Sequence, residues 1–334
     1  MAHATPCTRL APSPTGPLHL GHALAFLGAW TLARHLGWRV ILRLDDLDTA
    51  RVRSADADPI ETLRWLGLDW DGEPVRQSMR MDRYLEAMEH LARAGLVYES
   101  PQSRSEVREA AHAMGAPHEG EPTNRFPATL RPAAGVAWGF RDPAVNHRMR
   151  VDPGMVRVHD ALLGEHVMEP SQEHGDFLVW TKGGVPSYQL ACAVDDLELG
   201  VSDVVRGQDL LSSVPLQQRI ASALGGPHPN WWHLPLVRDA HGRRLAKRDG
   251  AEGLAGLRAA GVSASRVRGL VGWWLGIHPL GPASPEALVA ACRPERVAQA
   301  TRQGVAASPP TATPMIMAWL HGADQCTDTL RDHA

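Results

Sequence analysis

The sequence predicts an α/β fold in which a parallel sheet is flanked by helices. Three observations carry this. A chain of 334 residues with 44% apolar side chains can bury a sizeable core. Strand-like apolar runs alternate with segments whose apolar residues recur three and four apart. Pro- and Gly-rich turns fall between them. Sheets of this kind hold ligands at the carboxyl ends of their strands.

Residues 8–97 read as strand, helix, strand, then helices. A Pro- and Gly-rich turn from Arg9 to His22 delivers His19 and His22 to the start of a helix in which Ala23, Phe26, Leu27, Trp30, Ala33 and Leu36 recur at helical spacing. Two imidazoles three residues apart at a helix N-terminus suit a polyphosphate. Backbone N–H groups and the helix dipole already favour anions there, and the rings add donors that follow developing negative charge. Gly21 is expected to leave room for a nucleotide base or ribose. The second strand, Arg39 to Leu44, ends in Asp45-Asp46-Leu47-Asp48, and helices are expected over Asp56 to Leu66 and Met81 to Ala94.

From about Tyr98 to Gly175 short strand-like pieces, Arg148 to Val151 among them, are broken by Pro, Gly and polar clusters, which reads as a β-rich insertion. Asp176 to Trp180, the Gly183-Gly184 turn and Tyr188 to Val194 read as the return to the core sheet. Val267, Leu270, Val271, Trp274 and Leu275 mark a later helix, and the chain after Ala298 reads as a loosely ordered tail in which Met315 to Leu320 could dock. The expected units are therefore 1–97 and 176–235 as halves of one catalytic domain, 98–175 as an insertion, 236–298 as a basic loop with a helical appendage, and 299–334 as the tail.

The net charge of −3 excludes a chain that is basic overall, although phosphate contact needs only a local positive face. Cys7, Cys192, Cys292 and Cys326 lack paired spacing and read as reduced thiols. No apolar run approaches the ~18 residues of a membrane span and Met1 to Thr8 has no signal-like apolar stretch, so a cytoplasmic chain with no membrane partner is expected; it is also expected to be a monomer.

Five stretches in order carry a family resemblance: His19 to His22; Asp45 to Arg51; Tyr188 to Ala191 with Val194-Asp195-Asp196; Gly200 to Leu211; and Gly242 to Asp249. Together they resemble the class I aminoacyl-tRNA synthetases of the glutamyl type, with His19 to His22 in the place of HIGH and Arg244 to Arg248 in that of KMSKS. The resemblance implies a Rossmann-like parallel sheet, an inserted acceptor-binding-like subdomain and a small C-terminal helical appendage. Only 86 residues follow Arg248, a length that looks like the short branch of the family, the glutamyl-queuosine tRNA(Asp) synthetases, which lack the anticodon-binding half.

That resemblance implies glutamate, ATP with Mg²⁺, and tRNA(Asp) carrying queuosine as partners. It implies His19, His22 and Lys247 as catalytic groups, His19, Gly21, His22, Arg244 and Lys247 around ATP, and Arg9, Ala11, Ser13, Asp45, Tyr188 and Arg206 around glutamate. Arg9 and Arg206 offer forks to the two carboxylates in either assignment, Asp45 a counter-charge for the ammonium, and Tyr188 an aromatic wall. Asp45 stands where the family has Glu, about 1.5 Å shorter in reach. A backbone shift, a bridging water or a changed amino-acid preference each accommodates that. Many members of the short branch also carry Cys-x-Cys and Tyr-x-x-x-Cys in the insertion. Here Ser100, Gln102, Phe126 and Leu130 stand at those positions, so zinc is expected to be absent, with His112, His118 and Glu119 on an exposed loop. Alternative functions are a truncated ligase charging a tRNA 3′ end or another amine, and a catalytically retired RNA-binding paralogue.

Overall fold

The computed structural model describes residues 4–14, 16–47, 58–113, 125–133, 138–239, 242–243, 245, 253–306 and 310–322. The first half-domain comprises β1 (Cys7–Leu10), α1 (Leu20–His35), β2 (Arg39–Leu44), α2 (Pro59–Trp65), β3 (Val75–Arg76) and α3 (Met81–Arg93). β4 (Val97–Glu99), α4 (Arg104–Ala113), β5 (His147–Met149), β6 (Val156–Asp160), β7 (Gly164–Met168) and α5 (Pro170–Glu173) follow. Then come β8 (Phe177–Trp180), α6 (Tyr188–Glu198), β9 (Asp203–Gly207), α7 (Val214–Ala223) and β10 (Asn230–Leu234). The rest is β11 (Arg238–Asp239), α8 (Leu254–Ala259), α9 (Ala264–Trp274), α10 (Pro285–Ala291), α11 (Pro294–Ala306), β12 (Thr311–Ala312) and α12 (Pro314–Leu320).

β1, β2 and β3 pair in parallel, as do β9, β10 and β6, with β7 antiparallel on the edge. β1 lies beside β9, where the Ser202 N–H donates to Cys7 O at 2.9 Å. The order therefore runs outward from β1 to β3 on one side and from β9 to β10 on the other. The crevice at the carboxyl ends of β1 and β9 is the topological switch point of an α/β sheet. α1 is buried on nearly all sides because sheet lies under it and α9 and α10 over it. At Gly28 a Cβ would lie 2.7 Å from Leu234 Cδ1, so the Leu234 side chain occupies the space that a side chain there would take.

Two expectations change. Residues 98–175, read as one insertion, supply strands to two sheets: β6 joins β10, while β4 and β5 form an antiparallel sheet with β8. Phe177 to Trp180 accordingly pairs with β5 rather than entering the parallel sheet, because its inward side chains fill a second core with Tyr84, Met88, Leu91 and Leu190. Nor is the chain after Ala298 a loose tail as far as Gly322. α11 continues to Ala306, β12 pairs with β11, and Ile316, Trp319 and Leu320 of α12 are buried. Thr313 caps α12 by accepting the Ile316 N–H, Pro314 opens it, and Arg266 donates to Trp319 O at 2.6 Å. Residues 323–334, with Cys326, lie outside the described residues.

Candidate active site

A cavity of about 940 Å³ opens at the switch point, and Arg9, Ala11, Ser13, His19, Gly21, His22, Asp45, Tyr188 and Arg206 all line it. Arg244 and Lys247 lie outside the described residues. Leu245 between them is buried in the cavity wall, with its N–H on Val237 O at 2.9 Å.

On one side is the start of α1. His19 is its N-cap, and its Nδ1 accepts the Gly21 N–H at 3.1 Å, while His22 Nδ1 accepts the His19 N–H at the same distance. Both Nδ1 atoms are acceptors, so each neutral ring carries its proton on Nε2. The ring centroids are 3.9 Å apart. At Gly21, which lines the cavity, a Cβ would lie 2.9 Å from His19 Cε1, so its missing side chain also makes room for the capping imidazole.

Opposite lies a cluster of buried charges. α6 carries Tyr188, Cys192, Asp195 and Asp196 on one face. Asp196 accepts from Arg9 Nε at 3.0 Å and Arg43 Nη1 at 2.8 Å. Arg43 also clamps Asp45, with Nε to Oδ1 at 2.7 Å and Nη2 to Oδ2 at 3.1 Å. Burial pushes the Asp196 carboxyl up, but the two guanidiniums outweigh it and hold it below the usual carboxylate range. At Asp45 burial wins over Arg43, and the carboxyl lies above that range. Burial also pushes the Cys192 thiol up to about 12, making it a neutral wall. Tyr188, 42% exposed, faces the open space.

Arg206 differs from the other two arginines. It is 5% exposed and lies 4.9 Å over the Trp231 ring. Its bonds go to His233 Nε2 at 3.0 Å, Gln217 Oε1 at 2.8 Å and Leu210 O at 3.0 Å. No carboxylate among the described residues pairs with it, and burial lowers its pKa. Arg9 and Arg43 are balanced by Asp45 and Asp196. Arg206 is thus the one of these three arginines with no direct carboxylate contact among the described residues, which leaves its guanidinium able to receive a substrate carboxylate.

Sequence reasoning missed Arg43, Gln77, Asp160 and His233. Arg43, fully buried in the otherwise apolar end of β2, is a signal that could have been read. No local pattern marks Asp160 or His233.

A profile of tRNA synthetases class I (E and Q), catalytic domain, matches residues 7–258. A glutamyl-Q tRNA(Asp) synthetase from Nitratidesulfovibrio vulgaris is 41% identical over 285 residues, covering 81% of this chain and 86% of its own. The chain belongs to the class I tRNA synthetases, E and Q type, among the glutamyl-Q tRNA(Asp) synthetases. It is a ligase of that family. Glutamate–tRNA ligase 2 of Brucella ovis is 38% identical over 275 residues, 80% of this chain but 56% of that ligase. The glutamate-tRNA synthetase structure from Elizabethkingia anophelis superposes with a TM-score of 0.75 at 23% identity, covering 95% of this chain and 70% of that one, a likeness of fold.

The zinc position of this synthetase branch has a different occupant here. Ser100 Oγ donates to Gln102 Oε1 at 2.9 Å and accepts from Arg148 Nε at 3.2 Å. The Arg148 guanidinium lies 3.9 Å from the centre of the Phe126 ring and donates to Asp176 O at 2.8 Å. These donors do not fit zinc: they include no thiolate, and a guanidinium already stands among them. His118 and Glu119 lie outside the described residues.

Proposed function

We propose that the chain activates glutamate with ATP, without tRNA, and transfers it to the queuosine base at the wobble position of tRNA(Asp). The carrying observation is that one cavity joins a His-capped helix start to a buried guanidinium with no direct carboxylate contact among the described residues. Its volume suits an aminoacyl-adenylate. The relatives named for glutamyl-Q tRNA(Asp) support the acceptor.

In the first step a glutamate carboxylate oxygen attacks the α-phosphorus, the bond from that phosphorus to the β-bridging oxygen breaks, and pyrophosphate leaves with the electron pair. His19 and His22, protonated on Nε2, donate toward the phosphates at the positive end of α1. Lys247 supports the leaving pyrophosphate from the basic loop, and Mg²⁺ arrives with ATP. Arg206 and Arg9 orient the substrate carboxylates, and Asp45 and Tyr188 frame the ammonium side. The second step breaks the mixed anhydride as the queuosine base takes the glutamyl group and AMP leaves.

Glutamate-dependent ATP–pyrophosphate exchange with Mg²⁺ and no tRNA tests this. Exchange is expected with the chain alone, and exchange that appears only on adding tRNA contradicts it.

A further inference from the structure

Arg206 sits at the end of a line of three side chains on neighbouring strands. β6, β10 and β9 run side by side, with His233 in register with Arg206 on one flank and Asp160, on the other flank, in register with Trp231, two residues before His233. Asp160 and His233 are fully buried. The His233 Nδ1 to Asp160 Oδ2 distance is 2.6 Å, and the Arg206 Nε to His233 Nε2 distance is 3.0 Å.

These contacts determine the tautomer. An arginine Nε–H only donates, so His233 Nε2 must present its lone pair. The imidazole proton therefore sits on Nδ1 and is donated to Asp160. Asp160 is held in turn, because Oδ1 accepts the N–H groups of Leu162 at 3.0 Å and Leu163 at 2.9 Å. With Gln217 and Leu210 taking the other two bonds, three of the five guanidinium N–H groups point into the protein. Two remain for the cavity that Arg206 lines.

We propose that Asp160 and His233 are positioning residues for glutamate: Asp160 sets the His233 tautomer, and His233 aims the Arg206 guanidinium at a substrate carboxylate. This rests on the reading that Arg206 binds that carboxylate. Neither residue touches the substrate, so the effect falls on glutamate affinity and spares ATP.

Three substitutions separate the possibilities. Asp160→Asn keeps the size and the carbonyl that receives Leu162 and Leu163, but places an NH₂ against Nδ1. The tautomer reverses, and Nε2–H then faces the Arg206 Nε–H. His233→Phe removes the acceptor, and His233→Gln offers a carbonyl oxygen in its place. Glutamate Kd by calorimetry, and KM for glutamate and ATP with kcat in pyrophosphate exchange, are the readouts, with Arg206→Lys alongside. Asp160→Asn and His233→Phe are expected to raise the Kd and KM for glutamate about tenfold or more, with ATP KM and kcat within about twofold, while His233→Gln recovers most of the loss. Native glutamate KM in Asp160→Asn and His233→Phe, with a raised value in Arg206→Lys, overturns the relay and leaves the site reading standing. An unchanged value in Arg206→Lys overturns the site reading itself. The wild-type protein provides a check independent of mutant folding: ¹⁵N-histidine spectra are expected to show His233 protonated on Nδ1, and a proton on Nε2 overturns the proposal.

Discussion

Arg43 holds Asp45 through two hydrogen bonds, Nε to Oδ1 and Nη2 to Oδ2, deep in the wall where the substrate ammonium is expected. The shorter acid thus stands back against a guanidinium. Replacing it by Asn removes a charge that Arg43 needs, so Asp45→Asn is expected to raise the glutamate KM about tenfold and to cost roughly 1–3 kcal/mol of stability. Asp45→Glu carries the carboxylate about 1.5 Å further toward the cavity and is expected to preserve or lower the KM. Exchange kinetics with both variants check this, and a KM indifferent to both places the ammonium elsewhere.

The histidines at the head of α1 act on charge that develops late in the reaction. His22→Ala and Lys247→Ala are each expected to lower the exchange rate by ~10²–10³-fold with a smaller effect on glutamate KM. Single-turnover adenylate formation reads this directly, and an unchanged rate removes the residue from the chemistry.

The His-x-Gly-His start of α1 and the Asp45 stretch were legible because each lies where an apolar run meets a turn, which places it at the rim of a sheet, and the family resemblance supplied the roles. Asp160 and His233 were not. They are 73 residues apart and meet only because β6 and β10 are neighbours, a fact of topology that no local pattern carries. The order of the chain after Ala298 was only partly legible, in the apolar Met315 to Leu320, for a different reason. Ser308 to Pro314 reads as breaker-rich chain, yet Pro314 there opens a helix rather than interrupting one.

Burial depresses the pKa of His233 and of His147, while each unfolded imidazole titrates near its ordinary value of about 6.5. The folded state therefore holds fewer protons than the unfolded state just below that pH. The stability from these neutral rings is complete above about pH 6.5 and is lost as the pH falls toward their folded pKa values, by up to about 1.4 kcal/mol per pH unit for each ring. Thermal melts between pH 7.5 and 5.5 are expected to show His233→Gln losing less stability on acidification than wild type. Parallel curves contradict the neutral, buried assignment.

Arg148 stands among Ser100, Phe126 and Asp176 as a fixed cation. Arg148→Ala is expected to destabilise the protein by roughly 2–4 kcal/mol, through the lost bonds and ring contact. Elemental analysis of the wild-type protein is expected to find far less than one zinc per chain, with folding and exchange indifferent to a zinc chelator. Stoichiometric zinc contradicts the reading of this cluster.

The most direct measurement follows the glutamate itself. The protein is incubated with radiolabelled glutamate, ATP, Mg²⁺ and total tRNA from cells that make queuosine or lack it. Label is expected on tRNA(Asp) only in the queuosine-containing pool, and it is expected to stay with the tRNA when a 3′-exonuclease removes the terminal adenosine after transfer. Label that appears on both pools, or that leaves with the 3′ adenosine, contradicts transfer to the queuosine base.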